Sequence, residues 1–447
     1  MSDIDILVTI GIFAAVILLI AFDRLDMAVA ALLGVSVLIA LGLLDGDDLD
    51  SIIATAGGPL SLLFGGMVVA RVLARTGVFD WVGERYLHAT GGSGRRFLLL
   101  LVVLVAPLCA FLPNATTVIL VAPIIVAVAR ALKVDFVGPL IVTAIISNSA
   151  GMLTLVGDPA TFLVGSAIGL SFGDYLRTVS LGGLLAVLVV VPLLPRLLPD
   201  VWASRVPLGA EAPHPSTITR PAFVYLSLAV LLIMITLFLI GETLPTRIVP
   251  PAVAIIGATL ALLVVYGVRV EPVDNVLRDI DWKTLIFLAA IFALVQAFTK
   301  TGLLQGFSLQ LYDWFGTELT LVALLLLAGI GMLSALLANI PVVAAALIMT
   351  QGYLVAAEVV PEVAMASGFT DWPAATLPVF VAMMFGATLG GNATVIGASA
   401  NIVAAGICEK EGQRVTFIRF ARYGVPLMLV QLAVGALYVL ALSLVLD

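Results

Sequence analysis

Apolar residues run along this chain in long uncharged blocks, each closed by a short polar interruption. Charge-free blocks of about 18 residues or more read as membrane helices, because about 20 apolar residues in a helix cross a hydrocarbon core. They predict helices over 5–22, 26–44 and 57–75, then an amphipathic stretch from Phe79 to His88 and a polar Gly-Gly-Ser-Gly-Arg-Arg turn. A block over 97–133 follows, interrupted at Pro113-Asn-Ala-Thr-Thr117. Its arms, of about 14–16 residues, are short for spanning, which predicts a re-entrant hairpin. A helix over 137–169, broken between Ser147 and Pro159, and a helix over 177–198 complete this set. The order then returns: 221–240, 249–267, 282–299, a hairpin around Asn339, a broken helix over 376–406, and 424–446. An acidic excursion from Gln351 to Pro373 belongs to the second set alone.

The return is visible in letters as well as in hydropathy. Cys109-Ala-Phe-Leu-Pro-Asn114 recurs as Ser334-Ala-Leu-Leu-Ala-Asn339, and Arg75-Thr76-Gly77 as Lys300-Thr301-Gly302, both at an offset of 225 residues. Gly151-Met-Leu-Thr154-Leu-Val-Gly157 recurs as Gly391-Asn-Ala-Thr394-Val-Ile-Gly397, at an offset of 240. Each half then crosses about five times, since a re-entrant hairpin returns to its own side, and an odd count inverts the second half. The expected fold is all-α: a polytopic membrane protein with an inverted repeat of five transmembrane helices plus one re-entrant hairpin per half, with discontinuous helices. The first repeat covers 1–198, a cytoplasmic linker 199–220, and the second repeat 221–447.

Charge tests that topology independently. With the N-terminus outside, the basic residues of the turns gather on the cytoplasmic side, among them Arg24, Arg75, Arg95, Arg96, Arg130, Arg269, Arg278, Lys283, Lys410 and Arg419. Arg177, Arg247 and Lys300 fall outside, together with the acidic clusters Asp45/Asp47/Asp48/Asp50 and Glu358/Glu362/Asp371. Both termini are therefore expected to be extracytoplasmic in a multi-pass cell-membrane protein, the first hairpin opening from the cytoplasm and the second from the exterior. Trp282 and Trp314 read as interfacial anchors.

Composition narrows the function classes. Hydrophobic residues make up 62% and charged residues 11% of the chain, whereas a soluble protein would carry roughly a quarter charged residues. The first apolar block is flanked by acidic residues, which favours a retained helix over a signal peptide. No basic run suggests nucleic acid, and two distant cysteines, Cys109 and Cys408, imply no disulfide framework. No Gly-x-x-x-x-Gly-Lys-Ser/Thr loop occurs, so any ATP coupling would need a separate ATPase subunit. With no membrane histidine and one lone carboxylate, no nucleophile–base set exists, and the chain is not expected to be an enzyme.

The chemistry concentrates at the breaks. Interrupting a helix inside a bilayer leaves amide and carbonyl groups unpaired, at several kcal/mol each unless they meet protein, water or ligand. Half-helix N-termini suit anions or polar oxygens, and freed carbonyls suit Na+. The breaks hold Asn114, Thr116 and Thr117; Ser147, Asn148, Ser149, Thr154 and Gly157; Asn339; and Asn392, Thr394, Gly397, Ser399 and Asn401. These short amides and hydroxyls can ligate a solute or ion, or simply cap the half-helices. Asp158 is the acidic residue placed at membrane depth, which suggests carriage of a proton or cation. Gly157-Asp158-Pro159 is equally a good helix start, with Asp at N-cap and Pro at N1. His88 and His214 read as surface residues. Cys109, near the first hairpin tip, reads as packing, since soft metalloids want several thiolates.

At Gly390-Gly-Asn-Ala-Thr-Val-Ile-Gly-Ala-Ser-Ala-Asn401 the chain resembles the ion transporter superfamily. The resemblance is to the branch of the arsenite efflux membrane protein and the pink-eyed-dilution (P) protein; silicon effluxers, NhaD-type Na+/H+ antiporters and divalent anion/Na+ symporters are more distant. Thr301-Gly302, Asn339, Ser147-Asn148 and Gly157-Asp158-Pro159 fit the same pattern. The resemblance implies an inverted-repeat carrier, often a homodimer, whose site residues fall on Asn114, Thr116, Asn148, Asp158, Asn339, Thr394, Ser399 and Asn401. P-protein-like members commonly carry Asn shortly after Gly-Asp-Pro, where this chain has Ala160-Thr161 while its repeat partner keeps Asn401. The repeated Ser-Asn-Thr tips of the symporters are absent too. The expected function is a secondary carrier in the lipid bilayer, exporting arsenite, antimonite or a similar small hydroxylated solute. It would need no cofactor beyond Na+ or H+ as coupling ion. A Na+/H+ antiporter, a divalent anion/Na+ symporter and a P-protein-type anion channel are the alternatives.

Overall fold

The computed structural model describes residues 3–21, 24–206, 220–337, 339–365 and 369–446. The first half comprises α1 (Asp3–Ala21), α2 (Met27–Ala40), α3 (Gly46–Ala74), α4 (Val78–Thr90), α5 (Gly94–Cys109), α6 (Asn114–Ala131), α7 (Val137–Gly151), α8 (Pro159–Ala167), α9 (Phe172–Thr178) and α10 (Ser180–Leu188), then the short α11 (Leu194–Leu197) and α12 (Pro199–Ala203). The second half comprises α13 (Pro221–Ile240), α14 (Pro250–Val268), α15 (Val273–Arg278), α16 (Trp282–Thr301), α17 (Leu303–Phe315), α18 (Leu319–Leu336), α19 (Asn339–Ala356), α20 (Leu377–Gly390), α21 (Ser399–Lys410) and α22 (Phe417–Leu446). Among the described residues, nine helices are long and apolar enough to cross a membrane. The chain is an all-α polytopic membrane protein.

Several boundaries move from those the hydropathy suggests, each for a local reason. The third helix begins at Gly46 rather than at 57, because Asp45 and Asp48 form a reciprocal capping box at its start. The hairpin arms reach or exceed the expected length: α5 has 16 residues, and α6, α18 and α19 have 18 each. Pro107 and Pro123 are absorbed inside α5 and α6 without ending them. The break in the first broken helix narrows to Met152–Asp158, which leaves Ser147, Asn148 and Ser149 in the last turns of α7. Thr116 and Thr117 likewise sit in the first turn of α6. The helix expected over 177–198 is one span, Ser180–Leu197, in which α10 and α11 are joined through a tighter turn at Val191–Leu193; α9 precedes it as a separate short helix. The stretch 199–206 is packed structure: α12 lies on α5, and Gly94 N donates to Ser204 O at 2.9 Å. His214 lies outside the described residues; His88 is exposed on α4.

The repeat in the sequence is also a repeat in the packing. Where α3 lies on α14, its counterpart α16 lies on α2. Where α21 lies on α6 and α7, α8 lies on α19 and α20. The second limb of each broken helix thus docks against a hairpin arm of the other half and against the first limb of that half's broken helix.

Ion pairs keep to two separate groups. Arg71 and Arg75 pair with Glu271 at 3.3 and 3.1 Å; Arg71 also pairs with Asp279, Lys283 with Asp26, Arg130 with Glu411, and Arg419 with Asp135. Lys300 instead pairs with Asp45 and Asp48 at 3.0 and 2.8 Å. Every pair joins residues of one expected face. The Lys283 ammonium beside Asp26 holds that carboxyl below the usual range.

Candidate transport site

Helix starts converge on one cavity of about 80 Å³. α6 begins at Asn114 behind Pro113, and α21 at Ser399 behind Ala398, neither with a side-chain cap. α8 begins at Pro159, where Asp158 Oδ2 accepts from Thr161 N at 3.2 Å. α19 begins at Asn339, and α16 follows Asp281, whose carboxylate accepts from Thr284 N at 3.1 Å. Residues from all five starts line the cavity, with Asn148 and the apolar Leu63 and Met67.

Of the residues expected from sequence, Asn114, Thr116, Asn148, Asp158, Asn339 and Ser399 meet here. Thr117, Thr154, Gly157, Asn392, Thr394, Gly397 and Asn401 do not line the cavity. Several of these build what stands behind it. Thr154 Oγ1 donates to Ala110 O at the first hairpin tip, and Thr394 Oγ1 donates to Ala335 O at the second, at 2.5 Å. Each hydroxyl clasps a break to its own hairpin. The break loops close on themselves through glycine: a Cβ on Gly157 or Gly397 would lie 2.5 Å from the carbonyl oxygen of Gly151 or Gly391, respectively. That close approach explains why the repeat keeps both pairs.

The two breaks differ in their chemistry. In the first half, Asn114 Nδ2 donates to Asp158 Oδ1 at 3.2 Å and Thr388 Oγ1 donates to Asp158 Oδ2 at 3.2 Å. Asp158 is 1% exposed. Asn114 Oδ1 is buried and unpaired among the described residues. In the second half, Asn401 Nδ2 donates to Gly391 O at 2.8 Å and Thr394 O at 2.7 Å. Asn148 Nδ2 donates to the side-chain oxygens of Asn392 and Asn401, both at 3.0 Å. Asn392 Nδ2 in turn donates to Ser149 Oγ and Gln431 Oε1, and Gln431 Nε2 to Ser149 Oγ and Ala186 O. These bonds fix the amide orientations. Asn148 Oδ1 is unpaired among the described residues, at the cavity wall.

Cys109 is fully buried and donates to Ser147 Oγ at 3.1 Å; Ser147 Oγ then donates to Asn114 O at 2.9 Å. It does not line the cavity. Residues given no site role from sequence are Thr388, Thr161, Gln431, Asp281 and Thr284. The first two carried a signal: Thr388 is the repeat counterpart of Asn148, and Thr161 of Asn401, at the 240 offset. Gln431 is the amide inside the apolar run of α22. Asp281 and Thr284 precede or open an ordinary-looking helix, and only the fold brings them to the site.

The chain is similar to an uncharacterized transporter of Synechocystis sp., 41% identical over 439 residues that cover 98% of each chain. An uncharacterized transporter of Mycobacterium tuberculosis is 31% identical over 435 residues, covering 96% of this chain and 97% of that one. The human P protein is 26% identical over 519 residues, 99% of this chain and 60% of that protein. The crystal structure of the Alcanivorax borkumensis YdaH transporter is similar at 14% identity and a TM-score of 0.45, over 95% of this chain and 97% of that one. The citrate transporter (CitMHS) family description matches residues 17–370. The chain belongs to the citrate transporter (CitMHS) family, a family of secondary transporters in the ion transporter superfamily.

Proposed function

We propose that this carrier exchanges a cation for a small oxygen-rich solute, with arsenite or antimonite in neutral hydroxyl form as the leading cargo, moved outward. The observation that carries this is the cavity lining. Asn114, Thr116, Asn148, Asn339 and Ser399 supply amides and hydroxyls, Asp158 supplies a buried carboxylate, and no Lys, Arg or His is among the lining residues. An amide offers donor and acceptor together, which suits a neutral hydroxylated solute. The carboxylate suits the coupling Na+ or H+.

In this reading the halves are inverted, α5–α6 and α18–α19 are the re-entrant hairpins, and the face carrying Arg71, Arg75, Lys283 and Arg419 is cytoplasmic. The grouping of the ion pairs supports it. In that orientation the exposed Asp281 of the cavity lining, beside Lys283, lies toward the cytoplasmic face, which supports access from that side.

A hydroxycarboxylate is the second reading. It is favoured by the uncapped starts of α6 and α21 at the cavity, which suit an oxyanion, and by the family's description. Uptake of arsenite, antimonite and citrate into proteoliposomes under imposed Na+ and pH gradients separates the readings. Arsenite or antimonite flux that saturates and needs a cation gradient supports the first. Flux of citrate alone replaces it with the second, and unitary channel currents would sink both.

A further inference from the structure

The repeat lets each half serve as a control for the other. Around the first break, the partners of the Asp158 carboxylate among the described residues are neutral: the side chains of Asn114 and Thr388 and the backbone amides of Thr161 and Ala160. The would-be Cβ of Gly151 lies 2.8 Å from Asn114 Oδ1 and 3.0 Å from Asp158 Cβ, so an unpaired amide oxygen and a carboxylate share one buried corner. Among the described residues no side chain donates to Gly151 O. A buried carboxylate without a cationic partner is strongly unfavourable unless a proton or cation joins it.

The same corner in the second half is built the other way. Ala398 stands where Asp158 stands, and Asn401 where Thr161 stands. Thr161 is too short to reach across the break, and its hydroxyl donates to Asp158 O at 2.9 Å. Asn401 does reach across, and its amide nitrogen donates to Gly391 O and Thr394 O at 2.8 and 2.7 Å. Carbonyls freed by a helix break are the oxygens a cation would otherwise hold. Here an amide holds them. Its own oxygen is satisfied by Asn148 Nδ2 at 3.0 Å.

Resting on the cation-coupled reading, we propose that ion coupling is confined to the first half. A single monovalent cation binds at the Asp158–Asn114 corner, and the amide of Asn401 closes the equivalent second-half position by standing where a cation would stand. The repeat then yields two breaks but one coupling site. The second break serves as a neutral, hydrogen-bonded support for Asn148 at the cavity wall.

The test counts cations without needing the solute. Purified wild type, Asp158→Asn and Asn401→Asp are titrated with radioactive Na+ at constant ionic strength, over a range of pH. Infrared spectra of the same samples report buried protonated carboxyls. The expected wild-type result is one cation per chain, whether Na+ or a proton on Asp158, and none in Asp158→Asn. Asn401→Asp replaces the donor nitrogen by an isosteric oxygen facing two carbonyls, so it is expected to bind one Na+ more than wild type. Two cations per wild-type chain, one retained in Asp158→Asn, or no additional Na+ in a folded Asn401→Asp, overturns the inference and leaves cation coupling standing. Neither Na+ nor a buried proton in wild type defeats the cation-coupled reading itself. If Asn401→Asp does not purify as folded protein, the wild-type count of one against two decides.

Discussion

Asn114 donates from Nδ2 to the Asp158 carboxylate at 3.2 Å, and this one bond ties the tip of the first hairpin to the break in the first broken helix. The carboxylate is at the same time the cap of α8, through Thr161 N. Two roles meet in one side chain, and a substitution can separate them.

Asp158→Asn keeps a good N-cap residue and removes the charge. We expect folding and detergent stability close to wild type, with gradient-driven solute accumulation abolished. Accumulation measured in proteoliposomes under Na+ and pH gradients checks this. An Asn variant that keeps the wild-type cation dependence would reduce Asp158 to a cap.

The clasps between breaks and hairpins give a second expectation. Thr154→Val and Thr394→Val preserve shape but remove the hydroxyls that donate to Ala110 O and Ala335 O. Each leaves a carbonyl short of a donor, fully buried at Ala110 and part-buried at Ala335, which costs up to about 1–3 kcal/mol. The bonds are counterparts in the repeat, so thermal unfolding in detergent should fall in both variants, and more in Thr154→Val, whose bond is the more buried. A neutral result in both would mean the hairpins are held by packing alone.

Gly157→Ala and Gly397→Ala test the closed breaks. The added Cβ would meet a carbonyl oxygen at 2.5 Å, and that oxygen is backbone, so it cannot swing aside. Overpacking of this kind costs about 1–3 kcal/mol or more. Both variants should lose thermal stability and transport together. Gly406→Ala, where nothing lies within 4 Å of the added carbon, is the control expected to behave as wild type.

Much of this was legible in the sequence, for identifiable reasons. Long apolar blocks fix helices because the bilayer demands internally paired backbone, and α13 falls on Pro221–Ile240 as its hydropathy block predicts. The repeat located the hairpin tips at Asn114 and Asn339. Hydropathy did not show that the α7 helix persists through Ser147, Asn148 and Ser149, because small polar residues there read as a break. In the fold, α7 runs on to Gly151, and Ser149 Oγ donates back to Ile145 O at 2.8 Å, so this hydroxyl is satisfied without breaking the helix. Nor could it show Asp281 at the cavity, since nothing local distinguishes that residue from an ordinary helix cap. The Asn148–Asn401 bond crosses 253 positions, and it is tertiary packing of α7 on α21 that creates it.

Sidedness is open to direct test, because Cys109 and Cys408 are both buried and should give little labelling background. A cysteine introduced at Pro213, between the halves, should resist a membrane-impermeant thiol reagent in intact cells and react once the membrane is opened. Labelling in intact cells would invert the proposed orientation.

The sharpest contrast is between Asn339 and Cys109. Asn339 is half-buried at the cavity, and its repeat counterpart Asn114 lines the same space. Replacing either by Ala removes a donor and an acceptor, so solute binding should weaken by about 1–3 kcal/mol, roughly 5- to 150-fold. Cys109 sits behind the tip, fully buried, with its thiol donated to Ser147. Cys109→Ala leaves Ser147 its own donation to Asn114 O, so transport should change little and stability only modestly. Solute affinity measured by equilibrium binding, beside initial transport rates, compares the three variants directly. Loss of transport in Cys109→Ala with Asn339→Ala unaffected would move the site to the thiol, and with it the choice of cargo from a hydrogen-bonded solute to a thiol-bound metalloid.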